Sequence, residues 1–257
     1  VTGHAEGREP APPGWSADLA ALADLVAVMD RLRSPGGCPW DAEQTHASLL
    51  PYAVEEVFEV VEAVETGDRA ALREELGDLL LQVVFHARVA QEHPTEPFGI
   101  GDVAAGTAAK LRHRHPHVFG DVEVSGAAEV HTNWERIKRA EKSRESALDG
   151  IPAGMPALAR AEKVAGRAER AGLPVGEVAE GLGAGVPARG ADGAPALGGS
   201  APSDAERRTG LALLAVALDA QRAGIDAEAA LRAVVRDLEA ALRAAEAALR
   251  TGEAPPA

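Results

Sequence analysis

Five acidic residues stand at spacings that can do chemistry. Glu55, Glu56 and Glu59 form one set, and Glu75 and Asp78 form another. Residues three or four apart share one face of a helix, so Glu56 points with Glu59 and Glu75 points with Asp78. Four carboxylates brought towards one point repel one another, and such a cluster calls for a cation. Hard oxygen donors of this kind suit Mg²⁺, which keeps several waters and bridges substrate phosphates.

Other reactive groups are less decisive. Lys110 and Arg114 are four apart within Lys110-Leu111-Arg112-His113-Arg114-His115, and their shared face can act as a cationic clamp or as a solvated basic surface. Trp134 and Lys138 repeat that spacing further on. His113, His115 and His117 alternate along the chain, so they do not share a helix face, and no cysteine or carboxylate spacing completes a tetrahedral zinc set. His86 reads as a hydrogen-bonded histidine rather than a ligand. A di-iron bundle would need Glu-x-x-His pairs on core helices, and the helices that read as core carry none.

The elements that must position the acids follow from the pattern around them. Thr66-Gly67-Asp68 reads as a turn followed by a helix N-cap. Two helices joined by so short a link fold back antiparallel. The first carries Tyr52, Val54, Val57, Phe58, Val61 and Val64 on its apolar side, with Pro51 suited to its first turn. The second is apolar nearly all round from Leu76 to Ala90, which predicts a central buried helix. Its exceptions, Glu75, Asp78, Gln82 and His86, fall within about one-quarter of its circumference. That stripe must face something polar, and the remaining faces call for a second hairpin or a second subunit. Gly77 allows a neighbour to approach closely.

Upstream, residues 1–15 read as a disordered tail, and Ser16 as the cap of a helix bearing Leu19, Leu22, Val26, Met29 and Leu32. Ser34-Pro35-Gly36-Gly37 ends it, and Cys38-Pro39-Trp40-Asp41 to Gln44-Thr45-His46 reads as a loop. Downstream, 94–101 is a loop and Asp102 the cap of a helix stopped by Pro116. Residues 146–204 read as a linker with a short helix over 157–171 and a mostly disordered Gly/Ala/Pro-rich stretch over 174–204. Ala/Leu helices are predicted over about 205–222 and 226–250, followed by a tail at 251–257.

Composition narrows the function classes. The net charge of −14 argues against a nucleic acid polymer or an anionic membrane as partner. No apolar run approaches the roughly 20 residues of a membrane span. The N-terminus is polar, with no signal-peptide core. The single cysteine, Cys38, permits no intrachain disulfide and points to a reducing cytoplasm, with its thiol read as unreactive.

The segments GGCPWDAEQTH, PYAVEEVFEVVEAV, REELGDLLLQVVFHARVAQE, KLRHRHPHVFGDV and NWERIK, in that order, resemble the MazG family. The likeness covers roughly residues 19–145. It implies an all-α helical bundle acting as a nucleoside triphosphate pyrophosphohydrolase, in a catalytic domain over 16–145. It implies Glu56, Glu59, Glu75 and Asp78 as metal ligands for Mg²⁺, with Mn²⁺ as an alternative. Glu55, Glu59 and Asp78 become the catalytic candidates, with Glu55 as base or supporting carboxylate. Trp40, Lys110, Arg114, Trp134 and Lys138 would bind the nucleotide. The resemblance also implies a homodimer and a nucleotide-pool house-cleaning role. A non-catalytic nucleotide-binding or regulatory protein of the same fold is the alternative.

Members of that family with two domains repeat the unit, and the second half of this chain retains a trace of it. Setting Gly77 against Gly210 aligns Glu74-Glu75-Leu76-Gly77-Asp78 with Arg207-Arg208-Thr209-Gly210-Leu211. The apolar pattern survives in Leu213, Leu214, Val216 and Leu218, but the acids do not. The clamp positions fall near Asp237 and Ala241, and only Glu177 and Glu180 stand where an acidic helix should be. Residues 205–250 therefore read as a degenerate repeat, structural or dimer-forming, with the activity in the first half alone.

Overall fold

The computed structural model describes residues 14–141, 145–183 and 203–251. Within these the chain is helical throughout, with no strand. It divides into two compact units at residues 137 and 138.

In the first unit, α1 (Trp15–Arg33), α2 (Pro39–Glu43), α3 (His46–Thr66), α4 (Arg69–Ala90), α5 (Ile100–Arg114) and α6 (Pro116–Phe119) follow in order, and α7 (Ala127–Glu141) runs across the boundary. The hairpin of α3 and α4 dominates the unit, and α1 and α5 pack on α4. Its core is Met29 from α1, Leu49 from α3, and Val84 and Phe85 from α4, joined by Leu25, Val26, Leu80, Leu81, Val89 and Ile100. On the solvent side, ion pairs tie α1 to α4. Arg88 meets Asp30 at 2.7 Å, and Glu92 accepts from Arg33 at 2.9 Å and from Arg88 at 2.8 Å. Arg33 also lies 5.9 Å from the centre of the Phe85 ring and donates to the backbone oxygen of Asp41. This network holds Glu92 below the usual carboxylate range, first through the hydrogen bond from Arg33.

The turn between α3 and α4 fixes the hairpin. Gly67 has φ 74°, a left-handed conformation that suits glycine, and its N–H bonds to the carbonyls of Ala63 and Val64. The Asp68 N–H reaches back to Ala63 O at 3.0 Å, while its side chain accepts from the N–H groups of Ala70 and Ala71 at 2.9 and 3.0 Å. One short segment thus ends α3 and caps α4.

Several boundaries differ from the sequence reading. α1 starts at Trp15 after Gly14, with Ser16 already inside the helix. The segment read as a loop at 38–46 contains α2. α3 starts at His46, because Thr45 and Ser48 form a reciprocal cap, and Pro51 therefore lies inside the helix rather than in its first turn. Asp102 is not the N-cap of α5. It sits three residues in and accepts from the N–H of Gly99, which is the cap.

The α3/α4 hairpin is also less enclosed than its pattern predicts. Val54, Val57 and Phe58 on α3 are exposed, as are Leu76 and Val83 on α4. A Cβ placed on Gly77 would meet nothing within 4 Å. The buried side of α4 is confined to Gln82, Val84, Phe85, Ala87 and Ala90.

The second unit holds α8 (Ala157–Arg170), α9 (Val175–Gly183), α10 (Asp204–Arg222) and α11 (Ala227–Thr251). α8 buries Ala165, Gly166 and Ala168, and α10, its chief neighbour, buries Ala217 and Leu218. Such small residues let two helices pack closely. Gln221 donates to Glu169 at 2.9 Å across that pair. α9 corrects the composition-based reading, since 175–183 of the stretch taken as mostly disordered is helical. The rest of that stretch up to residue 202, most of the N-terminal tail and residues 252–257 lie outside the described residues. Among the described residues, no helix is long and apolar enough to cross a membrane.

Candidate active site

The hairpin brings acids from both helices together. Carboxylate oxygens of Glu56 on α3 and of Glu75 and Asp78 on α4 lie within 4.8 Å of one another. Glu59 lies one turn along from Glu56 on the same helix. The antiparallel register explains the meeting. Glu56 lies across from Asp78 and Glu59 from Glu75, because the turn at 66–68 pairs the last turns of α3 with the first turns of α4.

The charges act on each other. Burial raises the pKa of Glu56 most, followed by its hydrogen bond with Glu59 and by the charges of Asp78, Glu59 and Glu75. Glu75 is raised too, first by desolvation, then by Glu59, Glu74, Asp78 and Glu62. Every charged group shifting either residue is itself an acid. Two carboxylates with elevated proton affinity beside unneutralised neighbours fit a divalent cation, which would relieve the repulsion through hard oxygen donors. The donor set and its spacing therefore suit Mg²⁺ or Mn²⁺. Glu55 is exposed on the adjoining face of α3.

A cleft of about 480 Å³ opens beside the acids at the turn end of the hairpin. Glu59, Glu62, Thr66, Asp68 and Glu75 line it, with Ala63 and Ala71. Glu62 was not singled out from the sequence, although its place one turn after Glu59 was the available signal.

The opposite end of the same stripe carries two histidines. His46, the first residue of α3, and His86 on α4 have their Nδ1 atoms 2.8 Å apart and their rings stacked. Burial and then His46 lower the pKa of His86. His86 thus has the hydrogen-bonded role predicted for it. Gln82, between Asp78 and His86, is buried, and its Oε1 has no hydrogen-bond partner among the described residues.

The remaining site residues lie on α2, α5 and α7. Trp40 on α2 is exposed and meets Tyr52 edge-on at 6.0 Å. Lys110 is exposed while Arg114, one turn further on α5, is buried, so the two do not present equal charges to solvent. Trp134 on α7 packs edge-on against His115 at 5.1 Å, and His115 Nδ1 lies 2.7 Å from Leu111 O. Lys138 lies one turn further along α7, at the start of the second unit. Among the described residues, the Glu56, Glu75 and Asp78 group is the one arrangement suited to a metal, and His113, His115 and His117 form none.

Residues 44–119 match the MazG nucleotide pyrophosphohydrolase domain. An uncharacterised 26.1 kDa protein encoded in the blaB 3′ region of Streptomyces cacaoi is 46% identical over 223 residues, covering 86% of this chain and 81% of that protein. A protein of Escherichia coli K12 named nucleoside triphosphate pyrophosphohydrolase is 48% identical over 153 residues, or 58% of this chain. The alignment spans 57% of that enzyme's length. A mazG-related protein of Thermotoga maritima with a known crystal structure shares 29% identity across 46% of this chain and 98% of its own, with a TM-score of 0.39.

Proposed function

This chain belongs to the MazG family, and on that footing we propose that its first unit hydrolyses nucleoside triphosphates to nucleoside monophosphates and pyrophosphate. The observation that carries the reading is the meeting of Glu56, Glu75 and Asp78 within 4.8 Å, with no basic group among those that shift Glu56 and Glu75. Glu56, Glu59, Glu75 and Asp78 would hold the cation, Mg²⁺ with Mn²⁺ as the alternative. A cation bound there supplies Lewis acidity that neutralises charge growing on phosphoryl oxygens.

The chain's own residues do the rest. Lys110 and Arg114 grip phosphate oxygens, and Trp40, Trp134 and Lys138 hold the nucleotide. Glu55 or Glu59 takes a proton from the attacking water, whose oxygen forms a new bond to the α-phosphorus. The bond from that phosphorus to the α,β-bridging oxygen breaks, and pyrophosphate departs. The site draws on residues 16–145 alone, while residues 205–250 carry a degenerate copy of the hairpin with a structural role.

The exposed apolar side of the hairpin supports a homodimer. Leu50, Val54, Val57 and Phe58 on α3, with Leu76 and Val83 on α4, would be covered by the hairpin of a second copy. The protein would act on the cytoplasmic nucleotide pool as a house-cleaning enzyme, with no membrane or nucleic acid polymer as partner.

The test is pyrophosphate release from a panel of nucleoside triphosphates, with and without Mg²⁺. The wild type releases pyrophosphate, and Asp78→Asn, checked for helicity and cooperative unfolding, is slower by about a thousandfold. Full turnover by folded Asp78→Asn would overturn the site. Nucleotide binding without turnover in the wild type would favour a regulatory role instead.

A further inference from the structure

The longest helix of the second unit, α11, presents its apolar side outward. Leu231, Val235, Leu238, Leu242, Ala245 and Leu249 recur at alternate spacings of four and three, the seam of a coiled coil. Leu238 is 57% exposed, Leu242 60% and Leu249 75%. Beside the seam Arg232 and, further round, Arg236 are half-buried, and Arg232 lies 3.6 Å from Glu228 one turn earlier. The helix is anchored at its start, where the N–H of Ala227 donates to Glu162 on α8. A surface helix with no further partner would turn the other way, with leucines inward and arginines outward.

We propose that this seam is an interface with a second copy of the chain, in which the two α11 helices pair antiparallel. A regular seam is complementary to itself. In the antiparallel arrangement Leu231 layers with Leu249 of the second copy, Val235 with Ala245, and Leu238 with Leu242. Charge selects that direction. Arg232 and Glu246 flank the seam on the same side, and antiparallel pairing sets each Arg232 beside Glu246 of the other copy, twice by symmetry. One like-charged contact, Glu239 with its counterpart, falls at the symmetry axis. In a parallel pair Arg232, Glu239 and Glu246 would face Ala227, Val234 and Ala241, and no ion pair would form. The other flank is small, with Ala241 and Ala248 beside the seam, and lets the helices approach closely. This interface is distinct from the one proposed on α3 and α4, and it stands or falls without it.

Disulfide trapping in the full-length chain tests the arrangement, with Cys38→Ser as background. Leu238→Cys and Leu242→Cys are made as separate variants, oxidised alone and as an equimolar mixture. Antiparallel pairing gives a disulfide-linked heterodimer in the mixture, several-fold above any product from either variant alone. Linked homodimers of Leu242→Cys alone would overturn the direction. No linked product in any arm would overturn the interface, leaving the seam to the chain's own first unit or to another protein. A charge swap adds a readout that misfolding cannot imitate. Glu246→Arg lowers the yield of heterodimer several-fold, and adding Arg232→Glu restores it. The two residues lie about 21 Å apart along one helix, so restoration cannot arise within a chain. A double variant no better than the single one would overturn the register.

Discussion

The hairpin of α3 and α4 and the helix α10 of the second unit start from related patterns and differ in what their neighbours require. In the alignment proposed from the sequence Gly77 stands against Gly210, each in an α-helix followed by a run of leucine, valine and alanine. Beside Gly77, Glu75 and Asp78 meet Glu56 from a helix of 21 residues. Beside Gly210 the aligned residues are Arg208 and Leu211, and the preceding helix among the described residues, α9, is nine residues long. There Arg207 donates to the backbone oxygen of Leu182 at the end of α9, a contact that fastens one helix to the next. Where two acidic helices face each other, electrostatic repulsion is retained and a cation is invited. In the second unit, Arg207 instead holds two helices together.

The largest expected effect comes from writing the second pattern into the first. Glu75→Arg with Asp78→Leu should remove pyrophosphate release altogether while leaving the helical circular dichroism unchanged, since both residues lie outside the buried core. Residual Mg²⁺-dependent release by this variant would break the comparison. Next in size is the response to the ion. At a hundredfold excess over its dissociation constant, Mg²⁺ should stabilise the wild type by about 2.7 kcal/mol, seen as a raised Tm, and should leave the double variant unmoved.

A pH series sharpens the comparison further. The folded-state pKa of Glu75 is raised, so the native protein holds that proton at a pH where the unfolded chain has released it. Stability from this group is then present at low pH and lost as pH rises through the elevated value. In metal-free protein, Glu75→Gln should therefore have the higher Tm at neutral pH, and the advantage should vanish below the ordinary carboxylate range. An advantage that grew on acidification would break the account. The smallest effect is the converse transplant. Arg208→Glu with Leu211→Asp should confer neither pyrophosphate release nor a Mg²⁺ shift on a protein whose first site is disabled, because the acids of α9, Glu177 and Glu180, are both exposed. A gain in either measure would show that the second unit still holds a complete frame.

The acids and their hairpin were legible because everything that places them is local. Helical spacing sets the faces, and Thr66-Gly67-Asp68 sets the turn. Boundaries were harder wherever two caps competed. Thr45 with Ser48 outbids Pro51 as the start of α3, and Gly99 takes the cap of α5 while Asp102 supports it. The helix α9 was hidden by glycine, since Gly176, Gly181 and Gly183 lower the helical propensity of a segment held by contacts with α8 and α10. Burial was the least legible property. Leu76 and Val83 look like core residues by pattern, and only the arrangement of neighbours leaves them exposed. Lys110 and Arg114 share a spacing, and one is exposed while the other is enclosed.

The turn at Gly67 also bears on the order of events during folding. Because the link is so short, the contacts across the hairpin span little sequence, and their loop-closure entropy is small. The acid cluster can therefore assemble before Met29 from α1 and Ile100 from α5 reach the core. Its mutual repulsion is then met early, in a chain still largely unfolded. The cation's influence would accordingly fall on the rate at which the protein folds, while the packing of α1 and α5 governs how slowly it comes apart.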